Sequence, residues 1–341
     1  TLKKISYLLD LHRKTAKLER DFVTFALYAA FFPQAIAGPI EPHRKFLPQL
    51  AKLRKWDAAY FQQAWQLLLM GFFKKIVIAD NIKIIVDKTY QLGEPSKVLL
   101  IAGTLAFTIQ ILMDFSAYTD LARGFSYLLG LETSKNFERP YLALTPTQFW
   151  DRWHITFSNW LRDYIFFPIY RSLSRKYRNS KKYLSLIIPP LITMLISGLW
   201  HGAGYTYLVW GAFHGLLIII YQALGFGGKW QPKTKTKVFL AWLLMFVLIV
   251  FSWSLFRASN LSWWYQAWFQ TPWLNNQKEI LAAFVSLSLT AFYASFLLIK
   301  LIIDKYLPKV DWLQGAFFAV ITILIVVYTN SSSPDFIYAQ F

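Results

Sequence analysis

The 341-residue sequence contains no cysteine and is poor in charged residues, which make up 16% of the chain. The absence of cysteine excludes disulfide bonds, thiolate metal sites and a cysteine nucleophile. Any covalent intermediate therefore has to form on another nucleophilic side chain. A soluble domain carries about 25% charged residues, so the scarcity of charge argues against a water-soluble protein.

Apolar residues are abundant instead: 56% of the chain is hydrophobic and 19% is aromatic. Several apolar runs approach the roughly 20 residues that cross a bilayer. The composition therefore predicts an all-α, polytopic integral membrane protein whose first partner is the lipid bilayer. We predict spans at 61–80, 99–113, 183–200, 205–224, 238–257, 279–300 and 312–329, and a short re-entrant or tilted segment at 22–38.

The net charge of +18 invites a nucleic-acid-binding interpretation. The basic residues are, however, concentrated in short loops between apolar runs, as the positive-inside rule describes for membrane proteins. Counting spans places the basic segments 171–182, 227–237 and 300–309 on one side, which we predict to be cytoplasmic. We expect no nucleic-acid partner.

The sequence begins at Thr1, and residues 1–14 contain no long apolar core of a secretory signal. This start resembles an internal segment, so we expect further protein upstream of it. No internal repeat or linker divides the chain, which predicts a single membrane domain over residues 1–341.

His201 lies in the sequence WHGAG, between two apolar arms of a predicted hairpin. Gly198, Gly202 and Gly204 allow the backbone to bend there. Neutral imidazole is the usual general base near pH 7, so His201 is a candidate catalytic residue. An interfacial histidine in an ordinary turn fits the local sequence equally well.

His214 follows 13 residues later, a distance of about 20 Å along a continuous helix. The two histidines are therefore not expected to share a metal ion or a substrate atom. His214 shares a helix face with Trp210, and we predict that it packs against a neighbouring helix through a hydrogen bond.

His154 lies within 145–170, an aromatic, amphipathic segment predicted to be helical from Thr145 and Pro146 onwards. On local sequence alone this segment is an amphipathic helix at the membrane interface, and His154 one of its polar residues.

Charged residues also occur within the apolar run that follows residue 99. Asp120 and Arg123 are three residues apart and can pair on a helix, while Asp114 lies one and a half turns earlier. We interpret the three residues as structural ion pairs inside a helical bundle.

Seven motifs, in a fixed order along the chain, resemble one family. They are SYLLDLHR (6–13), FFPQAIAGPI (31–40), FSAYTDLARGFSYLLG (115–130), NFERPYLALTPTQFWDRWHITFSNWLRDYIFFPI (136–169), SGLWHGAGYTYLVWGAFHG (197–215), FSWSLFRA (251–258) and FIYAQF (336–341). By these motifs the chain resembles the membrane-bound O-acyltransferase (MBOAT) family. Within it, the chain is most similar to the bacterial branch of the alginate O-acetylation and teichoic acid D-alanyl transfer proteins.

The resemblance implies a helical bundle with short re-entrant or broken helices around a central tunnel, which joins a cytoplasmic entry to an external funnel. The histidine of the family's WHG segment corresponds to His201, and that of its RWH segment to His154. Family members have further transmembrane helices upstream of SYLLD, so the chain is expected to be N-terminally truncated relative to them.

The implied activity is transfer of an acyl group, in the first place acetyl, from a cytoplasmic thioester to hydroxyls of an extracytoplasmic polysaccharide, as in alginate O-acetylation. The donor would be acetyl-CoA or a carrier-linked acyl group. No bound cofactor or metal is expected. The implied location is the bacterial inner membrane, beside an exported SGNH-type acyltransferase or esterase.

In this chemistry His201 would be the general base or a transient acyl carrier, and His154 would orient it, share its protons or polarise the thioester carbonyl. Backbone N–H groups at 202–204 could stabilise an oxyanion. The basic segment 171–182 could attract donor phosphates or lipid headgroups. D-alanyl transfer to teichoic acid, a transporter, and a scaffold that passes acyl groups to a partner transferase remain alternatives.

Overall fold

The computed structural model describes residues 2–52, 57–177, 183–227, 230–306, 311–329 and 336. Over these residues the secondary structure is helical, apart from one isolated antiparallel bridge between Phe137 and Trp153. The predicted all-α class is confirmed.

Fifteen α-helices are present within the described residues. They are α1 Leu2–His12, α2 Phe22–Ala30, α3 His43–Leu50, α4 Ala58–Phe72, α5 Asp80–Tyr90, α6 Lys97–Leu128, α7 Pro146–Trp150, α8 Ile155–Leu161, α9 Phe167–Lys176, α10 Leu184–His201, α11 Tyr205–Ala223, α12 Lys235–Arg257, α13 Leu261–Tyr265, α14 Lys278–Tyr306 and α15 Asp311–Tyr328. Single 3₁₀ turns occur at Phe32–Gln34 and Pro140–Leu142, and wider π turns at Phe73–Ala79, Arg162–Phe166 and Gln266–Gln270.

Five helices are long and apolar enough to cross a membrane: α6, α10, α11, α12 and most of α14. They confirm five of the predicted spans, although α6 extends over 32 residues and is much longer than the predicted 99–113. The predicted span 61–80 is instead made of α4 and the π turn that follows it, which contains Lys74 and Lys75. The predicted span 312–329 corresponds to α15, a shorter apolar helix. The segment predicted at 22–38 is short and broken, with α2 followed by a 3₁₀ turn that contains Pro33.

The described chain divides into two compact units, each discontinuous in sequence. The first unit comprises residues 1–57 and 126–256, and the second comprises residues 58–125 and 257–341. The single domain expected over 1–341 stays a prediction.

In the first unit, α10 and α11 form a closely packed antiparallel hairpin. Gly198 of α10 lies against the backbone carbonyl of Tyr207, and Gly211 of α11 lies against that of Met194. A Cβ atom at either glycine would overlap the facing backbone, so glycine is required for the two helices to approach this closely. An apolar core of the same unit fixes α1 against α2 and α3, and its buried residues are Tyr7, Tyr28, Phe31, Phe46 and Leu131.

In the second unit, the charged residues of α6 form ion pairs, as predicted. Asp120 contacts Arg123 at 4.0 Å, and it also accepts a 2.6 Å hydrogen bond from Lys74. Asp114 pairs with Lys75 at 3.0 Å. The sequence analysis had missed both lysines as partners, because they lie some 40 residues earlier in what was predicted to be an apolar span.

Candidate active site

His201 is the last residue of α10, and its side chain is buried. Gly202 continues the chain in an extended conformation, and α11 begins directly after Gly204. The predicted bend at 202–204 is therefore confirmed. Gly198 contributes to helix packing instead, because it lies inside α10.

Aromatic side chains surround the His201 imidazole. The ring centroids of Trp200, Phe256 and Trp210 lie 4.8, 5.0 and 5.4 Å from that of His201, and all three are in edge-on arrangements. These contacts fix the plane of the imidazole and exclude water from most of its surface.

His154 is placed by an interruption that the sequence analysis did not foresee. The helix begins as predicted, because the Thr145 hydroxyl caps it and Pro146 occupies its first turn. It does not continue to residue 170, however: α7 ends at Trp150, and His154 precedes α8 in the left-handed region, at φ 43° and ψ 52°. The prediction of an interfacial helix is wrong at this position, since His154 is only 3% exposed.

A left-handed conformation costs a non-glycine residue about 1–2 kcal/mol, so surrounding contacts have to hold His154 in it. The backbone carbonyl of Asn136 accepts a hydrogen bond from Ile155 N (3.0 Å). The side-chain oxygen of Asn136 accepts two more, from Thr156 N (3.1 Å) and Thr156 Oγ1 (2.6 Å). Thr156 Oγ1 in turn accepts from Ile40 N (2.9 Å). This network fixes both the start of α8 and the loop at residue 40.

The structure brings His154 and His201 together around two shared aromatic rings. Phe157 lies 4.9 Å from His154 and 6.2 Å from His201, between ring centroids. Trp200 lies 6.0 Å from His154 and 4.8 Å from His201. Burial lowers the pKa of His154 well below its usual value, and the nearby His201 lowers it further. His154 is therefore a neutral imidazole near pH 7, able to accept or donate a hydrogen bond.

His214 occupies a supporting position in α11, as predicted. It is fully buried, its Nε2 lies 3.2 Å from Ser252 Oγ, and its ring packs 4.8 Å from that of Trp210. The distance of about 20 Å expected for a continuous helix does not apply, because the helix ends at His201 and the chain turns at Gly202. The rings of both histidines instead pack against the ring of Trp210.

Two cavities lie within the first unit, and the wall of one of them includes His154. The larger has a volume of about 210 Å³ and a mostly apolar lining from α7, α8, α10 and α11. Its residues include Trp150, Leu161, Thr193 and Met194, with Arg162 at its polar part. Neither His154 nor His201 is in its lining; Trp150 in its wall packs 5.8 Å from Trp210, whose ring in turn lies 5.4 Å from that of His201.

The smaller cavity, of about 90 Å³, includes His154 itself in its lining. Trp200, Lys3, Gln34 and the loop 35–40 form the rest of its wall. Sequence analysis missed Lys3, Gln34 and the Asn136 network. Gln34 and Asn136 lie within the quoted motifs 31–40 and 136–169, but local sequence does not show what they contact, because their partners lie more than 15 positions away. Among the residues that the structure describes, no three His, Asp or Glu side chains converge as metal ligands do.

Comparison with known proteins gives one family and several relatives. The family model described as "MBOAT, membrane-bound O-acyltransferase family" matches residues 6–263. A Pseudomonas putida protein named probable alginate O-acetylase AlgI is 36% identical over 260 residues, which cover 75% of this chain and 50% of that protein. A Helicobacter pylori peptidoglycan O-acetyltransferase is 32% identical over 288 residues, covering 76% and 53%. A Bacillus subtilis teichoic acid D-alanyltransferase is 26% identical over 266 residues, covering 75% and 66%. The chain thus spans about half the length of the first two relatives.

Proposed function

The chain belongs to the membrane-bound O-acyltransferase family, and we propose that it transfers an acyl group, in the first place acetyl, from a thioester donor to hydroxyls of an extracytoplasmic polysaccharide. The observation that carries the proposal is the pair of buried histidines, His154 and His201, with His154 in the wall of the smaller cavity. The larger cavity is linked to His201 through the rings of Trp150 and Trp210. A centre with two approaches suits acyl transfer between a donor and an acceptor that arrive from opposite sides of a membrane.

The positive-inside rule supports an assignment of one approach to each substrate. It places the basic segments 171–182 and 227–237 in the cytoplasm, so His201 lies at the far end of α10. The larger cavity contacts α10 at residues 190–194, about 10–16 Å before His201. We assign it to the cytoplasmic donor, acetyl-CoA or a carrier-linked thioester, which acts as a co-substrate. The smaller cavity adjoins Trp200 at the outer end, and we assign it to the acceptor.

The proposed reaction is an attack of the acceptor hydroxyl on the thioester carbonyl carbon. His201 accepts the hydroxyl proton while the new C–O bond forms, and the tetrahedral intermediate then expels the thiol by breaking the C–S bond. The proton on His201 passes to the departing sulfur, so the base is regenerated. His154, held neutral by burial, hydrogen-bonds the reacting groups and orients His201.

Sequence similarity favours an acetyl donor and an alginate-type acceptor. The relatives named as acetyl-transferring proteins are 32–36% identical to the chain, whereas the D-alanyltransferase is 26% identical. We accordingly place the protein in the bacterial inner membrane, beside an exported SGNH-type partner. Transfer of D-alanine is the second candidate. The assay below distinguishes acetyl transfer from D-alanyl transfer, because only the acetyl group of the donor carries the label.

Replacement of His201 tests the proposal. In the full-length protein we expect His201→Ala to abolish transfer of labelled acetyl groups to polymer, because no base remains to take the hydroxyl proton. His12→Ala is the matched control, since His12 is an exposed histidine at the end of α1. Immunoblots of the membrane fraction confirm equal insertion. Full activity in an inserted His201→Ala protein would refute the mechanism, and unmodified passage of the acyl donor through purified protein would indicate a transporter instead.

A further inference from the structure

Lys3 is a buried cation in the wall of the smaller cavity. Its ammonium group donates a 2.8 Å hydrogen bond to Gln34 Oε1, and it lies 4.5 and 4.9 Å above the rings of Tyr28 and Phe46. Among the described residues, no carboxylate comes within 4.0 Å of the ammonium nitrogen to form an ion pair. A buried charge without such a counter-ion is costly, and its remaining N–H donors are available to a ligand.

Gln34 adds further donors at the same place. Its carbonyl oxygen is used by Lys3, while its amide nitrogen is buried and has no hydrogen-bond acceptor within the described part of the chain. A buried N–H without an acceptor costs about 1–3 kcal/mol. Lys3 and Gln34, which both line the cavity, therefore offer a positive charge and amide N–H donors, a combination suited to binding an oxyanion.

We propose that Lys3 and Gln34 form an anion subsite for the acceptor, which binds the carboxylate or phosphate oxyanion of an acidic saccharide. His154 lines the same cavity, so an anion held there keeps the neighbouring hydroxyl of the same sugar beside the histidine pair. The inference rests on the proposed function, because it assigns a chemical class to the acceptor of that reaction.

The charge state of Lys3 gives the subsite a pH dependence. Burial lowers the pKa of Lys3 to about 8, against the opposing effect of Glu41, while Lys4 lowers it slightly. The ammonium is therefore charged at pH 7 and loses its proton as the pH rises through about 8. His154 is already neutral near pH 7, so anion binding is expected to weaken between pH 7 and 9 as Lys3 loses its proton.

Equilibrium binding to the purified full-length protein tests the subsite. Three probes are compared: an oligouronate, a polyol-phosphate oligomer, and the carboxyl-reduced, neutral form of the oligouronate. Wild-type protein is expected to bind an acidic probe more tightly than the neutral one, and Lys3→Met to lose roughly 10- to 100-fold of that preference, the range for a hydrogen bond to a charged group. Lys4→Met is the matched control, since Lys4 is exposed on the next position of α1. Which acidic probe binds identifies carboxylate or phosphate as the natural group.

A second variant keeps the test decisive if Lys3→Met folds poorly. Gln34→Glu places a carboxylate within reach of Lys3, so it neutralises the subsite without removing the lysine, and it should abolish the preference. Equal binding of acidic and neutral probes to wild type, or a preference retained in Gln34→Glu, would overturn the inference. The binding measurement needs no acyl transfer, so a loss of the subsite and a failure of the proposed reaction give different results.

Discussion

Replacing Thr156 with valine removes the hydroxyl that joins the two sides of the His154 network, while it keeps the shape of the side chain. Thr156 is 7% exposed, and its hydroxyl both donates to Asn136 Oδ1 and accepts from Ile40 N. In Thr156→Val, the Ile40 N–H loses its acceptor, and the side-chain oxygen of Asn136 keeps only the hydrogen bond from the backbone N–H of residue 156.

The magnitude follows from these two losses. An orphaned N–H costs about 1–3 kcal/mol, and the lost hydroxyl–amide hydrogen bond contributes about 1 kcal/mol, so we expect a destabilisation of about 2–4 kcal/mol. The start of α8 also becomes less firmly held, and with it the left-handed His154. Displacing a catalytic group by about 1 Å costs up to a hundredfold in rate, so we expect acyl transfer to fall about 10- to 100-fold.

The assay compares Thr156→Val with Thr156→Ser, which retains the hydroxyl. Thermal unfolding in detergent reports stability, and acetyl transfer measured well below the unfolding temperature reports the placement of His154. We expect a lower Tm and a lower kcat for the valine variant, and near wild-type kcat for the serine variant. Equal Tm and kcat for valine and wild type would show that the network does not hold His154.

Two further substitutions test the packing of each unit by itself. Gly211→Ala should destabilise the α10–α11 hairpin severely, because the new Cβ overlaps the Met194 carbonyl. Gly315→Ala is the control: this helical glycine has open space around it, so the substitution should leave the Tm unchanged or raise it. Lys75→Met removes the cation that pairs with buried Asp114 and with Asp80, and it should cost about 3–5 kcal/mol in thermal unfolding. Lys88→Met, at an exposed lysine of α5, should cost little, and equal Tm values for the two lysine variants would contradict a structural role of these ion pairs.

The parts of the fold that depend on local sequence were predictable. Apolar length predicted seven spans, and five of them are helices long and apolar enough to cross a membrane. The glycines at 202 and 204 predicted the bend after His201, and Thr145 with Pro146 predicted the start of α7. The family was predicted from the order of motifs along the chain, and the match of the family model to residues 6–263 confirms it. Each of these signals lies within one turn or one span.

The parts that depend on distant partners were not predictable. The left-handed break at His154 is held by Asn136 and Thr156, which belong to one motif but are 20 residues apart, so the sequence does not show that they contact each other. The position of His154 beside His201 requires the packing of α8 on α10. Lys3 lies in the segment 1–14, of which the sequence indicated only that it lacks the apolar core of a signal, and its burial depends on Tyr28 and Phe46, which later elements supply.

The measurement that tests the central claim most directly is acetyl transfer across a sealed vesicle. Full-length protein is reconstituted with labelled acetyl thioester on the side of the basic loops and acidic oligosaccharide on the other side. The two-cavity centre predicts labelled acetyl esters on the oligosaccharide with wild-type protein and with His12→Ala, and none with His201→Ala. Ester formation that persists in His201→Ala, or no ester with wild type while free labelled donor crosses the membrane, would contradict it.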